Sequence, residues 1–142
     1  ICEALPKGGV LAVQVPDNQG DPSHVTMRET AATGPWASRF AEPVRREVIL
    51  PPRTYFEALG PDAARLDIWH TIYQHPLACP EAIVDWVMGS GLRPFLDRLD
   101  PADRPAFLAA YSTEIAGAYP PLSDGRVLLR FPRLFIVAVR GE

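Results

Sequence analysis

Val10-Leu11-Ala12-Val13-Gln14-Val15, followed by Pro16-Asp17-Asn18, is the stretch that decides the fold class. Its apolar run shows no alternation, the pattern of a strand covered on both faces within a parallel sheet. Just before it, Pro6-Lys7-Gly8-Gly9 reads as a helix stop and tight turn, so Ile1-Cys2-Glu3-Ala4-Leu5 reads as the last turn of a helix. A helix feeding a central strand is the repeating unit of a doubly wound α/β domain, which places ligands at the carboxyl ends of its strands. Asp17 and Asn18 fall at that edge, as ligand contacts or as caps of the next helix.

Working outward, a helix is expected from about Ser23 to Thr33, with Asp21 or Ser23 as its cap. A loose segment from Gly34 to about Leu50 precedes a short helix from Pro51-Pro52 to Leu59, ended by Gly60-Pro61. Leu66 to Tyr73 reads as a strand, with Asp67, Trp69, Thr71, Tyr73 and His75 on one face and Ile68, His70 and Ile72 on the other. Pro80 opens a helix carrying Ile83, Trp86, Val87 and Ser90 at helical spacing. Asp100-Pro101-Ala102-Asp103 predicts the next helix, with Asp100 as cap and Pro101 at the first position, and Phe107, Leu108, Tyr111 and Ile115 as its stripe. After the turn at Ser123-Asp124-Gly125 come two apolar runs, 127–131 and 134–139, and Pro132-Arg133 between them predicts a bulge, a bend or an edge position.

Composition narrows the function classes. At 142 residues and 47% hydrophobic content, the chain can bury one ordinary core. A net charge of −3 with dispersed arginines leaves no footprint for nucleic acid. No apolar run approaches the roughly 20 residues of a membrane helix. Cys2 and Cys79 stand far apart, outside any Cys/His cluster, and His24, His70 and His75 make no ligand set, so neither a disulfide framework nor a metal site is expected. A cytoplasmic protein is the expectation. The chain starts at Ile1, so it reads as beginning mid-protein or as cut.

Leu5-Pro6-Lys7-Gly8-Gly9-Val10-Leu11-Ala12-Val13-Gln14 resembles the turn and fifth strand of the class I S-adenosylmethionine-dependent methyltransferases. Val15-Pro16-Asp17-Asn18, Asp67-Ile68-Trp69-His70-Thr71-Ile72-Tyr73, Ile83-Val84-Asp85-Trp86-Val87, Gly91-Leu92-Arg93-Pro94 and Phe131-Pro132-Arg133-Leu134-Phe135-Ile136-Val137 narrow the resemblance to the trans-aconitate 2-methyltransferase family. The resemblance runs from Leu5 to the end. It implies the C-terminal part of a doubly wound, Rossmann-like sheet with a helical cap inserted between the last two strands. Residues 1–75 would then be late strands and helices of the core, 76–122 the substrate cap and 123–142 the final strand. It implies methyl transfer from S-adenosylmethionine to a carboxylate of trans-aconitate or a similar acid. The main cofactor loops of the family are expected to be absent, because Gly8-Gly9 and Gly89-Ser90-Gly91 read as turns.

A carboxylate titrates near about 4, so the acceptor is already ionised at neutral pH and needs no general base. The site has to hold a polyanion, strip its water and align one oxygen. Arg93 could form a bidentate contact with a carboxylate or cap a helix end, and Arg133, at the strand interruption, could point into the cleft or make a structural salt bridge. Tyr73 and His75 could hydrogen-bond the acid or pair within the core. Trp86 and Tyr111 could line the cap or form its small core. The expected partner is a small polycarboxylate, with an enzyme as parent and an inactive fragment in isolation. The rival readings are a non-catalytic binding module, a homodimer formed through an unpaired edge of the 10–15 strand, and a methyltransferase for a different acceptor.

Overall fold

A computed structural model describes residues 4–45 and 48–141. Of the helix turn expected at the start, residues 1–3 lie outside the described residues. The chain divides into two compact units, residues 1–18, 47–73 and 131–142 forming one and residues 19–46 and 74–130 the other.

The first unit is a sheet with a short helix. Its strands come from β1 (Val10–Pro16), β2 (Ala63–Leu77) and β3 (Val127–Arg140), in the order β1-β3-β2. The chain is thus α/β, and among the described residues the sheet has three strands, with β1 paired on one side only. It pairs antiparallel with β3, in register from Val10↔Val139 to Pro16↔Arg133. β1 is not covered on both faces, since Val10 and Val13 are 57% and 37% exposed. Its apolar run encodes neighbours that the described residues do not supply. Along β3, Leu134, Ile136 and Ala138 are buried while the residues between them are only half covered, the period of two of a strand with one packed face.

Pro132 neither breaks β3 nor puts it at an edge: the strand is continuous and central. The Asp17 N–H donates to the Pro132 carbonyl at 2.9 Å, so the N–H that proline lacks would face the β1 side. β1 has already ended there, at Pro16, so its ladder needs no donor from that position.

The second unit is helical. It contains α1 (Pro22–Thr33), a 3-10 turn at Ala37–Phe40, α3 (Pro80–Met88), α4 (Arg93–Leu96) and α5 (Arg104–Ala118), while α2 (Pro52–Leu59) belongs to the first unit. Met27, Ile83, Leu92, Phe107, Tyr111 and Ile115 are all fully buried in one core, to which β3 adds Val127 and Leu129. Trp36 packs edge-on against Phe107 at 5.2 Å between ring centroids. Of the expected stripes, Ile83 and Val87 on α3 and Phe107, Tyr111 and Ile115 on α5 face the core, while Trp86 and Ser90 are exposed, Leu108 is half-buried, and Val84 takes a buried place on α3.

Two helix starts differ from the sequence pattern. α5 begins at Arg104, with Asp103 and not Asp100 at the cap position. The Asp100 carbonyl accepts the Asp103 N–H in a preceding turn, and the Asp100 carboxylate is taken by the Arg39 guanidinium. Asp21 does occupy the cap position of α1, but its side chain makes no cap hydrogen bond and pairs with Arg130 instead. In both cases the carboxylate pairs with an arginine distant in sequence and not with the local helix end, an ion pair in which both partners are charged.

Candidate functional site

In the helical unit, α3 turns Ile83, Val84 and Val87 inward and leaves Trp86 on its outer face, 45% exposed. The His75 ring, at the end of β2, lies 5.0 Å from the Trp86 ring with the planes 33° apart. Arg93 opens α4 with its side chain 75% exposed, and its ion pair to Asp97 is long at 3.8 Å. Such a guanidinium is cheaply redirected toward an anion.

Tyr111 is different. It is fully buried, and its hydroxyl donates to the Ser23 carbonyl at 2.8 Å. Burial pushes its phenol well above the ordinary tyrosine range, and the neighbouring Tyr119 pushes in the same direction. It stays a neutral donor. The Tyr119 hydroxyl in turn accepts the Ser23 N–H at 3.0 Å, so two tyrosines hold the first turn of α1.

In the sheet unit, Tyr73 is 40% exposed on β2. Arg133 lies over the Phe131 ring, 4.9 Å from its centroid, a cation–π placement that orients the guanidinium without neutralising it. Trp69 stacks on Phe135 at 5.1 Å with the planes 10° apart. The structure therefore brings His75 to Trp86, Arg93 to Asp97, Tyr111 to Ser23 and Arg133 to Phe131.

Two polar pairs escaped the sequence reading. His70 Nε2 lies 2.8 Å from Asp17 Oδ2, across 53 residues of chain. Arg130 Nη1 lies 2.5 Å from Asp21 Oδ1, across 109 residues. No local spacing announces contacts so distant in sequence. The one usable hint was an aspartate at each end of the loop that follows β1.

Among the described residues no group of three or more His, Cys, Asp and Glu side chains could hold a metal ion. Gly8 takes a left-handed φ of +72° in the turn before β1, and a Cβ on Gly9 would meet the Pro6 carbonyl at 2.8 Å. A Cβ on Gly91 would meet Met27 Cε at 2.9 Å and His24 Cε1 at 3.1 Å, while Gly89 borders open space.

No family model matches the chain. Individual relatives do. It is 57% identical over 142 residues to a trans-aconitate 2-methyltransferase of Rhizobium etli, covering 99% of this chain and 56% of that protein. The identity is 52% to the protein of that name in Agrobacterium fabrum, over 99% of this chain and 55% of the relative. The chain is similar to trans-aconitate 2-methyltransferases along nearly its whole length. A third trans-aconitate 2-methyltransferase, from Rhodopseudomonas palustris strain HaA2, is 56% identical over 96% of this chain and 54% of its own. The chain spans about half the length of the trans-aconitate 2-methyltransferases it matches.

Proposed function

We propose that the chain is the C-terminal, acid-binding portion of an S-adenosylmethionine-dependent methyltransferase that esterifies a carboxylate of trans-aconitate or a similar acid. The observation that carries this reading is the 57% identity to a protein of that name over 99% of the chain. Three further features support it. β1 ends the strand order with its apolar side chains exposed, as it would if the remainder of a Rossmann-like, doubly wound sheet continued beyond it. Helices α3 to α5 lie in the chain between β2 and β3, where a cap inserted between the last two strands would be. Arg93 is exposed and weakly paired, while Arg133 is half-buried over Phe131.

The residues proposed to bind the acid are Tyr73, His75, Trp86, Arg93 and Arg133, with Tyr111 positioning the start of α1. The arginines would supply ion pairs, Tyr73 and His75 hydrogen bonds, and Trp86 an apolar wall. None of them needs to remove a proton, since the acceptor carboxylate is already ionised. Their work is to desolvate and orient. The glycines here read as turns, so the donor would be held by the portion of the relatives outside this chain, and the chain alone would be inactive.

Transfer of labelled methyl from S-adenosylmethionine to trans-aconitate by the full-length protein tests the reading, and transfer at background level would refute it. Tight binding of the cofactor to the 142-residue chain alone, measured by calorimetry, would refute the division of labour. Light scattering separates the two uses of the β1 edge: a monomeric full-length protein is expected if that edge pairs within one molecule, and a dimer if it pairs with a second copy.

Among the described residues no helix is long and apolar enough to cross a membrane.

A further inference from the structure

We infer that Arg130 is a carboxylate-binding residue for the acid acceptor, held in place by Asp21; this rests on the reading under Proposed function. Arg130 lies on β3 among alternating positions, with Val127 and Leu129 buried and Leu128 and Arg130 exposed. Its side chain is 46% exposed, yet it is fixed at one end: Nη1 meets Asp21 Oδ1 at 2.5 Å. No second side chain or carbonyl among the described residues takes the rest of its fork. A guanidinium carries five N–H donors in a rigid plane, so the unused edge is set to receive a carboxylate in bidentate fashion.

Asp21 is what makes this more than an incidental surface pair. Its side chain is only 7% exposed, and its second oxygen, Oδ2, is buried with no partner. Burying a carboxylate with half its lone pairs unsatisfied does not favour stability. The same side chain also gives up capping α1, the helix it precedes. Both sacrifices serve one result, a guanidinium whose direction is set from behind. The helix end that carries Asp21 is itself immobilised, because Tyr111 and Tyr119 grip the carbonyl and the N–H of Ser23, two residues on. Tyr111 then acts on the acid through Asp21 and Arg130, as a positioning residue.

The test uses the full-length protein and trans-aconitate. Arg130→Gln is expected to raise KM about 10- to 100-fold, the loss of a charge-assisted hydrogen bond, with kcat changed less than about threefold. Arg130→Lys should recover part of the loss, and Asp21→Asn, which leaves Arg130 in place but unsteadied, should raise KM by a smaller factor. An NMR titration that follows the Arg130 Nε–H signal should show it moving on addition of trans-aconitate, and not on addition of the trimethyl ester, which has no charge. A merely structural pair would lower the melting temperature of all three variants and leave KM and the wild-type titration flat, which would overturn the inference. If Arg130→Gln fails to fold, Arg130→Lys and the wild-type titration decide it. Absence of methyl transfer with the Arg130 signal still responding to the tricarboxylate would overturn the proposed reaction and leave Arg130 as a carboxylate receptor.

Discussion

Replacing Tyr119 by Phe should destabilise the protein more than replacing Tyr111 by Phe, although Tyr111 is the more deeply buried of the two. Both hydroxyls reach Ser23, but from opposite sides of its peptide groups. Ser23 is the second residue of α1, where an N–H has no carbonyl one turn earlier in the helix to bond. The usual remedy is the cap side chain, and Asp21 does not provide it. The Tyr119 hydroxyl accepts that N–H at 3.0 Å, so Tyr119→Phe strands a buried donor and should cost about 1–3 kcal/mol. Tyr111 instead donates, at 2.8 Å, to a carbonyl that also faces the amide one turn on. Its loss removes one bond without orphaning the acceptor, and should cost about 0.5–1.5 kcal/mol. Urea denaturation of both variants and the double variant at constant m-value measures the difference. If Tyr111→Phe cost as much as Tyr119→Phe or more, the claim that a tyrosine stands in for the missing helix cap would fail.

Three other expectations are open to measurement. Gly91→Ala should cost about 1–3 kcal/mol in chemical denaturation, because its Cβ would meet Met27 Cε at 2.9 Å and His24 Cε1 at 3.1 Å, whereas Gly89→Ala, facing open space, should cost little. Phe107→Ala should cost about 3–5 kcal/mol and Asp100→Asn under about 1 kcal/mol, because the first empties a fully buried site and the second breaks an ion pair at the surface; similar melting curves for the two would refute the assignment of the core. The Arg126 guanidinium and backbone N–H, bonded to Asp124 at 2.8 and 3.1 Å, hold the Asp124 carboxyl below the ordinary carboxylate range. A depressed folded value means that the bonded turn gains its full advantage above the unfolded value and loses it as the pH falls through the folded one. Carbon NMR should show a low titration midpoint for Asp124, and Arg126→Gln should raise it.

The relation of sequence to structure differs from element to element. Pro80, the 83/87 spacing and the 107/111/115 stripe located α3 and α5 and their buried faces, because a helix periodicity is written within one turn of chain. The failures share a cause. Asp100 as a cap and Pro132 as an edge position were local readings of residues whose partners lie far away: Arg39 for Asp100, and strands on both sides of β3 for Pro132. Among the candidate site residues, Trp86 and Arg93 stand exposed, while Tyr111 lies in the core with its hydroxyl engaged.

By itself, then, the sequence determined the longer helices α1, α2, α3 and α5, the apolar strands and the resemblance to trans-aconitate 2-methyltransferases, but not α4 or the 3-10 turn at Ala37–Phe40, since each of the former is carried by short stretches of contiguous residues. Only the tertiary structure decided which strand lies at the centre of the sheet, and that Asp21 and Asp100 each pair with an arginine and not with a helix end. It also showed that Arg130 is held by Asp21. Those outcomes depend on pairs brought together across tens of residues, which no local spacing encodes.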